Sequence, residues 1–229
     1  MGSKNRIAKE LIPYLTADLT EGKYYVEPFA GGCNMIDKVE HSLKIAADSN
    51  QYLIALLQYQ GELPEYISRE EYESVKKNPE NYPDWYVGFC GFICSFRGMF
   101  FKSYVKNDVL KKSGKIEHYQ KEQINNFRKQ RAKLAGIHFE CCSYEQLNIP
   151  EGSVIYCDPP YSGTAEYKDK FDSVKFWQWV RDKVKAGNKV YVSEYAAPDD
   201  FECIWQKEIN SNLGGASKVA VERLFIHKS

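Results

Sequence analysis

The order of apolar and polar residues along the chain predicts alternating strands and helices, which is typical of an α/β fold. Pro13 is expected to kink or split the first helix, and Asn50 or Ser49 is suited to cap the second. The elements predicted in this opening are a helix over 5–19, strands at 24–26 and 43–47, and a helix to about residue 58.

The second half of the chain again alternates predicted strands and helices, and it ends with two strands that are predicted to pair in antiparallel fashion. Gly187 follows a helical pattern and is a suitable helix stop. The predicted elements are strands at 137–141, 154–157 and 189–192, a helix over 173–186, and an antiparallel pair near 201–208 and 220–226. The fold class expected is α/β, a doubly wound sheet with a trailing β-hairpin.

The middle of the chain, residues 60–132, breaks this alternation. It is polar and rich in aromatic residues, with short helical patterns and glycine-containing turns. We interpret it as a helical insertion between the two parts of one core, residues 1–59 and 133–229.

Charge is balanced over the whole chain but not along it. Lys and Arg together number 31, as do Asp and Glu, so the formal net charge is zero. Between residues 97 and 133, however, eleven Lys or Arg stand against three Asp or Glu. A basic segment in a neutral protein indicates a local contact with a polyanion, and a solvated helix face is the alternative.

The seven cysteines show neither disulfide-framework nor zinc-site spacing, so no metal is expected. We expect them to be buried, small apolar residues in a reducing compartment. No apolar run reaches the length of a membrane span, which favours a cytoplasmic protein without a membrane partner.

The tetrapeptide Asp158-Pro159-Pro160-Tyr161 directly follows the predicted strand 154–157. Two prolines end the strand and stiffen the loop, at the sheet edge where open α/β folds bind ligands. A carboxylate and a carbonyl can accept the hydrogens of a planar amine while an aromatic ring stacks on its face. A strand-terminating turn with a solvated Asp is the alternative.

Two further features lie at the ends of the first two predicted strands. The segment Val26-Glu27-Pro28-Phe29-Ala30-Gly31-Gly32 places glycines in a strand-to-helix turn, where backbone can approach a ligand closely. Asp48 ends the second strand, where an acid can accept hydrogen bonds from ribose hydroxyls or cap a helix. A nucleoside-type cofactor bound there would lie next to Asp158.

These motifs, in this order, resemble the Dam-like DNA adenine-N6 methyltransferases, and the resemblance runs almost end to end. It implies a Rossmann-like methyltransferase sheet and S-adenosylmethionine as cofactor. It also implies double-stranded DNA as the partner, with the target adenine flipped out of the helix, and DNA recognition by the insertion.

The resemblance assigns a role to each matched position. Asp158, Pro159, Pro160 and Tyr161 match the catalytic motif. The cofactor-binding positions are Lys4, Glu27, Pro28, Phe29, Ala30, Gly31, Gly32 and Asp48, with Asp158 shared. The basic insertion offers Arg97, Lys102, Lys106, Lys111 and Lys112 as DNA contacts.

Two alternatives remain open at this stage. An RNA adenine-N6 methyltransferase would use the same amine capture. A nucleic-acid-binding protein with a degenerate site is the other, and Cys33, where relatives often carry glycine, favours it. The recognition sequence, the oligomeric state and the biological role, including restriction pairing, are not determined by these motifs.

Overall fold

The computed structural model describes residues 4–111, 113–160, 171–211 and 218–228. The chain divides into two compact units, which we describe separately. The sheet unit comprises Lys4–Ala47 and Ser143–Ser229, and the inserted unit is Asp48–Cys142.

Six α-helices and nine β-strands make up the regular structure of the described residues. The helices are α1 (Ala8–Thr16), α2 (Gln51–Gln58), α3 (Arg69–Lys77), α4 (Asp84–Gly88), α5 (Tyr119–Arg131) and α6 (Ser173–Lys185). The strands are β1 (Tyr25–Glu27), β2 (Lys44–Asp48), β3 (Asp108–Leu110), β4 (Ile116–His118), β5 (His138–Cys141), β6 (Val154–Cys157), β7 (Lys189–Glu194), β8 (Phe201–Ser211) and β9 (Lys218–His227).

The sheet unit is built on hydrogen-bonded strands in the order β2-β1-β6-β7-β9-β8. The first four run parallel, whereas β9 is antiparallel to β7 and to β8. All four residues of β6 are buried, as expected for a short apolar strand in the middle of a parallel sheet. The predicted α/β class and the trailing β-hairpin are therefore confirmed.

Helix α6 shows how local sequence fixes an element of the sheet unit. The Asp172 carboxylate accepts a hydrogen bond from the Lys175 amide at 3.0 Å and caps its first turn. The apolar side chains Phe176, Trp177 and Val180 are buried. Gly187, with φ of 85°, follows its end in the left-handed conformation that glycine adopts without strain.

The inserted unit is mainly helical, and a π-helical segment, Phe89–Ile93, continues α4. Asn50 caps α2 as expected, because its side chain accepts from the Leu53 amide at 3.0 Å. The two-stranded hairpin β3–β4 was not predicted, since its strands have three residues each and lack a buried face.

Two sequence-based expectations need correction. Pro13 does not split the first helix, because α1 continues from Ala8 to Thr16 around it. The cysteines are not all buried: Cys33, Cys90, Cys94 and Cys157 are, but Cys141 and Cys203 are exposed. Cys141 is the last residue of β5, which has no buried residue, and Cys203 lies where the register of β8 against β9 shifts. Among the described residues, no helix is both long and apolar enough to cross a membrane.

Candidate active site

Two of the predicted site residues lie at the carboxyl ends of neighbouring strands in the sheet unit. Strands β1 and β6 pair in parallel, with Tyr25 opposite Val154 and Val26 opposite Ile155. Glu27 is the last residue of β1, and Asp158 directly follows β6. Since parallel strands end at the same edge of a sheet, the two carboxyl groups share one side of it.

Lys4 places a buried positive charge at this edge. Its side chain is only 6% exposed, and its Nζ lies 3.2 Å from Asp158 Oδ1 and 2.8 Å from Glu222 Oε2. Burial alone lowers the pKa of the Lys4 ammonium, but Asp158 and Glu222 outweigh this effect and raise it above its usual value. The ammonium therefore stays charged and joins three segments that are far apart in the sequence.

Glu27 is a buried acid next to this ion cluster. The Tyr25 hydroxyl, two residues earlier on the same face of β1, donates to Glu27 Oε1 at 2.9 Å. Burial raises the pKa of Glu27 to about 8, and the charges of Asp158 and Asp37 add to the rise, whereas the Tyr25 hydrogen bond opposes it. At neutral pH this carboxyl therefore holds a proton that a nearby cation would displace.

A tyrosine and a cysteine of β6, next to Asp158, are buried in their protonated, uncharged forms. Burial, followed by the charge of Asp158, raises the pKa of the Tyr156 hydroxyl and of the Cys157 thiol well above their usual values. The Tyr156 hydroxyl is 2.9 Å from Ser193 Oγ, which links β6 to β7. The hydroxyl and the thiol therefore both keep their protons at neutral pH.

The glycine-containing loop after β1 adopts the conformation that its sequence permits. Gly31 and Cys33 have positive φ values of 48° and 53°, so a non-glycine residue takes the left-handed conformation at position 33. The Ala30 amide donates to the Ala47 carbonyl at 2.8 Å and ties the loop to the end of β2. A β-carbon added at Gly32 would lie 2.9 Å from the side-chain nitrogen Nδ2 of Asn34, so a larger residue at this position would displace that side chain.

Asp48 is the residue that follows Ala47 at the end of β2. Its Oδ1 accepts a hydrogen bond from the Asn50 amide at 3.0 Å, immediately before α2 begins. Asn50, not Asp48, is the N-cap of α2, so the capping alternative for Asp48 is wrong and its carboxylate instead holds the turn that precedes the helix.

Phe29 holds the loop by ring contacts within the sheet unit. Its centroid lies 5.2 Å from that of Tyr144, 5.7 Å from Phe176 and 6.0 Å from Phe171. Pro28 and Ala30 on either side of Phe29 are buried. The aromatic cluster therefore fixes the loop whose backbone is predicted to meet the cofactor.

The predicted DNA contacts lie in the inserted unit. Arg97 belongs to a loop closed by a bridge between Ser95 and Tyr104, and its guanidinium lies 5.1 Å from the ring centroid of Phe96. Lys102 is exposed within the same loop, and Lys106 is exposed in the segment between the loop and β3.

Lys111 follows β3 in the turn of the β3–β4 hairpin. Its Nζ is 3.3 Å from Glu117 Oε2 and 4.9 Å from the centroid of the Tyr119 ring. Lys112 and Tyr161 lie outside the described residues. Pro159 is buried and Pro160 partly exposed.

Sequence reasoning missed two residues that the structure brings to the site. Tyr25 lies two positions before Glu27, and the two-residue period of a strand was a signal that could have found it. Glu222 lies on β9, 218 positions from Lys4, and no motif marks it.

The residues present fit a cationic nucleoside cofactor. In the sheet unit, the buried carboxyl group of Glu27 and the partly exposed carboxylate of Asp158 supply acceptors for a positive group. In the part of the chain that the structure describes, no group of three or more His, Cys, Asp or Glu is arranged to hold a metal ion.

The fold and these residues together are those of a methyltransferase. The family described as D12 class N6 adenine-specific DNA methyltransferase matches residues 1–89 and 94–197. The chain belongs to this family.

Individual relatives are more distant. The chain is 23% identical over 216 residues to the type II methyltransferase M.FokI of Planomicrobium okeanokoites, across 80% of this chain and 31% of the relative. It is 26% identical over 184 residues to the retron Ec67 DNA adenine methylase of Escherichia coli, across 71% of this chain and 62% of the relative. The chain thus spans less than two thirds of the length of either relative.

Among solved structures, the chain is similar to PH1948 of Pyrococcus horikoshii, a proposed RNA methyltransferase. The TM-score is 0.43 at 11% identity, covering 96% of this chain and 82% of that one. No part of the assignment depends on this likeness.

Proposed function

We propose that this methyltransferase transfers the methyl group of S-adenosylmethionine to the N6 amine of adenine in double-stranded DNA. One observation carries the proposal: Asp158 stands at the end of β6 beside the buried Lys4 and Glu27, in a chain of the D12 family. The names of the two curated relatives, a type II methyltransferase and a DNA adenine methylase, support the same reaction.

The cofactor would be held by residues of the strand ends. The cofactor would contact the Glu27 carboxyl group and the backbone of the loop that follows it, which comprises Pro28, Phe29, Ala30, Gly31 and Gly32. Asp48 would accept hydrogen bonds from its ribose. Lys4 and Asp158 would contact its charged groups. When bound, S-adenosylmethionine supplies a methyl group on a positively charged sulfur, and the carbon–sulfur bond breaks with its electron pair remaining on sulfur. Glu27 would lose its proton as the positive group arrives.

Asp158 and the Pro159 carbonyl would capture the target amine. The lone pair of the adenine amine is delocalised into the ring, so the amine is a poor nucleophile. Accepting its two hydrogens draws the nitrogen toward tetrahedral geometry and frees the lone pair to form the new nitrogen–carbon bond. Both acceptors act more strongly as positive charge develops on nitrogen, so they stabilise the transition state, and the excess proton then leaves to water.

The target base must leave the helix to reach Asp158. Tyr161, in the catalytic motif, would stack on the flipped base, and stacking contributes about 1–3 kcal/mol per base.

Recognition of DNA is assigned to the insertion at residues 60–132. Arg97, Lys102, Lys106, Lys111 and Lys112 supply positive charge for phosphates, which sets position along the duplex and makes binding depend on salt.

The β3–β4 hairpin adds an apolar feature to this charge. Leu110 and Ile116 form a cross-strand pair and are 72% and 53% exposed. Exposed aliphatic side chains next to lysines are the composition of elements that enter a DNA groove and contact bases. We therefore include this pair among the DNA contacts.

Two alternative readings are kept as outcomes of the test. An RNA adenine methyltransferase would use the same capture of the amine, because neither acceptor distinguishes the sugar. A nucleic-acid-binding protein with a degenerate site would carry Asp158 without turnover.

A site of action inside the cell, in the cytoplasm, follows from a DNA substrate.

The test is to incubate the protein with isotope-labelled S-adenosylmethionine and unmethylated genomic DNA, and to analyse the nucleosides by mass spectrometry. A matched reaction contains RNA in place of DNA. Labelled N6-methyldeoxyadenosine is the expected product. Labelled methyladenosine from RNA alone would support the RNA alternative, and no product despite measured cofactor binding would support the degenerate site.

A further inference from the structure

Lys4 is paired with two carboxylates, and the closer one, Glu222, belongs to none of the motifs found in the sequence. The ammonium is 2.8 Å from Glu222 Oε2 but 3.2 Å from Asp158 Oδ1. Glu222 lies on β9 of the trailing hairpin, and its side chain is 16% exposed. The family match ends at residue 197, so it assigns nothing to this position.

The surroundings of Glu222 fix its position on the sheet. In the backbone register, Glu222 lies opposite Lys207 of β8, and its neighbour Arg223 lies opposite Glu194, the last residue of β7. The trailing hairpin therefore brings a carboxylate to the carboxyl end of the parallel strands, beside the catalytic motif.

We propose that Glu222 is a positioning residue. It holds the Lys4 ammonium so that this positive charge neutralises the Asp158 carboxylate only in part. This inference rests on the proposed function of Asp158 as the acceptor for the target amine.

The physical reason lies in the competition for one ammonium. A buried ammonium is costly unless it is paired, and it goes to the strongest acceptors within reach. While Glu222 also binds the ammonium, the negative charge of the Asp158 carboxylate is neutralised less, so Asp158 accepts the amine hydrogens more strongly. If Glu222 loses its charge, Asp158 takes a larger share of the ammonium and stabilises the developing charge on the amine less.

The kinetic test compares Glu222→Gln with Glu202→Gln, a matched change at an exposed residue of β8. For Glu222→Gln we expect kcat to fall by about tenfold while KM for the nucleic acid changes by less than about twofold. Glu222→Asp keeps the charge on a shorter side chain and is expected to restore most of kcat. An unchanged kcat in Glu222→Gln, beside an active wild type, would overturn the inference and leave the proposed function intact.

A second measurement does not depend on activity. Nitrogen-15 NMR detects a lysine ammonium only when hydrogen bonding slows the exchange of its protons with water. We expect the Lys4 signal at the same chemical shift in the wild type and in Glu202→Gln, and at a changed chemical shift in Glu222→Gln because the ammonium moves toward Asp158, with Lys4→Met confirming its assignment. A Lys4 signal at the wild-type chemical shift in a folded Glu222→Gln variant would contradict the role of Glu222, even if no substrate were methylated.

Discussion

The two units of this protein use charge in opposite ways. In the sheet unit, Lys4 is buried between Asp158 and Glu222, and Glu27 is buried beside them. In the inserted unit, the basic residues predicted to meet DNA, such as Lys102 and Lys106, are exposed to solvent. Fixed, buried charges suit the stabilisation of a transition state, whereas exposed charges suit the neutralisation of a polyanion.

This difference predicts that substitutions in the sheet unit change the rate of the reaction and that substitutions in the inserted unit change binding.

Asp158→Ala is expected to reduce methyl transfer at least about a hundredfold, because it removes an acceptor that acts in the transition state. Lys4 keeps Glu222 as a partner, so the fold should persist. The measurement is the initial rate of methylation at saturating DNA, with Asp199→Ala, the same change at an exposed Asp, as the control. Turnover equal to wild type would refute the role given to Asp158.

Glu27→Gln is expected to change how stability depends on pH. Glu27 has a raised pKa of about 8 against an ordinary value of 4.5, so the folded state keeps a proton that the unfolded chain has lost. Its contribution to stability is full below pH 4.5 and is lost as the pH rises toward 8.

The measurement is urea unfolding of the cofactor-free protein at several pH values from about 5 to about 9. The wild type should lose a few kcal/mol across this window, and Glu27→Gln should lose less, since its side chain does not ionise. Glu21→Gln, at an exposed Glu, should follow the wild type. Parallel curves for all three proteins would show that Glu27 ionises normally.

Lys115 is an exposed lysine in the turn of the β3–β4 hairpin, where its carbonyl accepts a hydrogen bond from the Lys111 amide at 2.8 Å. Replacing Lys111 and Lys115 together by Gln is expected to weaken DNA binding by about tenfold at moderate salt and to lower the salt slope by roughly 2. Fluorescence anisotropy across a series of salt concentrations measures both quantities. Lys76 and Lys77, exposed at the end of α3, supply the matched double substitution, which should leave the slope unchanged. Equal slopes in all three proteins would exclude phosphate contacts by the hairpin.

Leu110→Ser is expected to weaken DNA binding by about threefold with no change in the salt slope, because it removes apolar contact and no charge. Stability should stay within about 0.5 kcal/mol of wild type, since the side chain is exposed. Val174→Ser, at an apolar residue of α6 that is 80% exposed, is the control for a surface change. Unaltered affinity would show that the hairpin contacts DNA by charge alone.

The sheet unit was largely predictable because its strands are buried. The run Val154–Cys157 is apolar throughout, which is the pattern of a strand buried on both faces. The glycines after β1 indicate a turn at that position. The cap at Asn50 was predictable for a local reason, since the residue and the amide that it accepts are three positions apart.

Long-range and weakly patterned features were not predictable. The pair of Lys4 and Glu222 joins residues that are 218 positions apart, and no local pattern marks either end of it as a pair. The β3–β4 hairpin has strands of three residues, which are too short for an alternating pattern to appear. The exposed Cys203 lies at a register shift between β8 and β9, which depends on how the two strands pair and has no local signal in the sequence.

The most direct test of the central claim is the single-turnover rate of methyl transfer, measured against DNA concentration for the wild type, Asp158→Ala and the double Lys111 and Lys115 variant. We predict that the rate at saturation falls only in Asp158→Ala, while the double variant reaches the wild-type rate at higher DNA concentration. A normal saturating rate in Asp158→Ala, or a lowered saturating rate in the hairpin variant, would contradict the division of chemistry and binding between the two units.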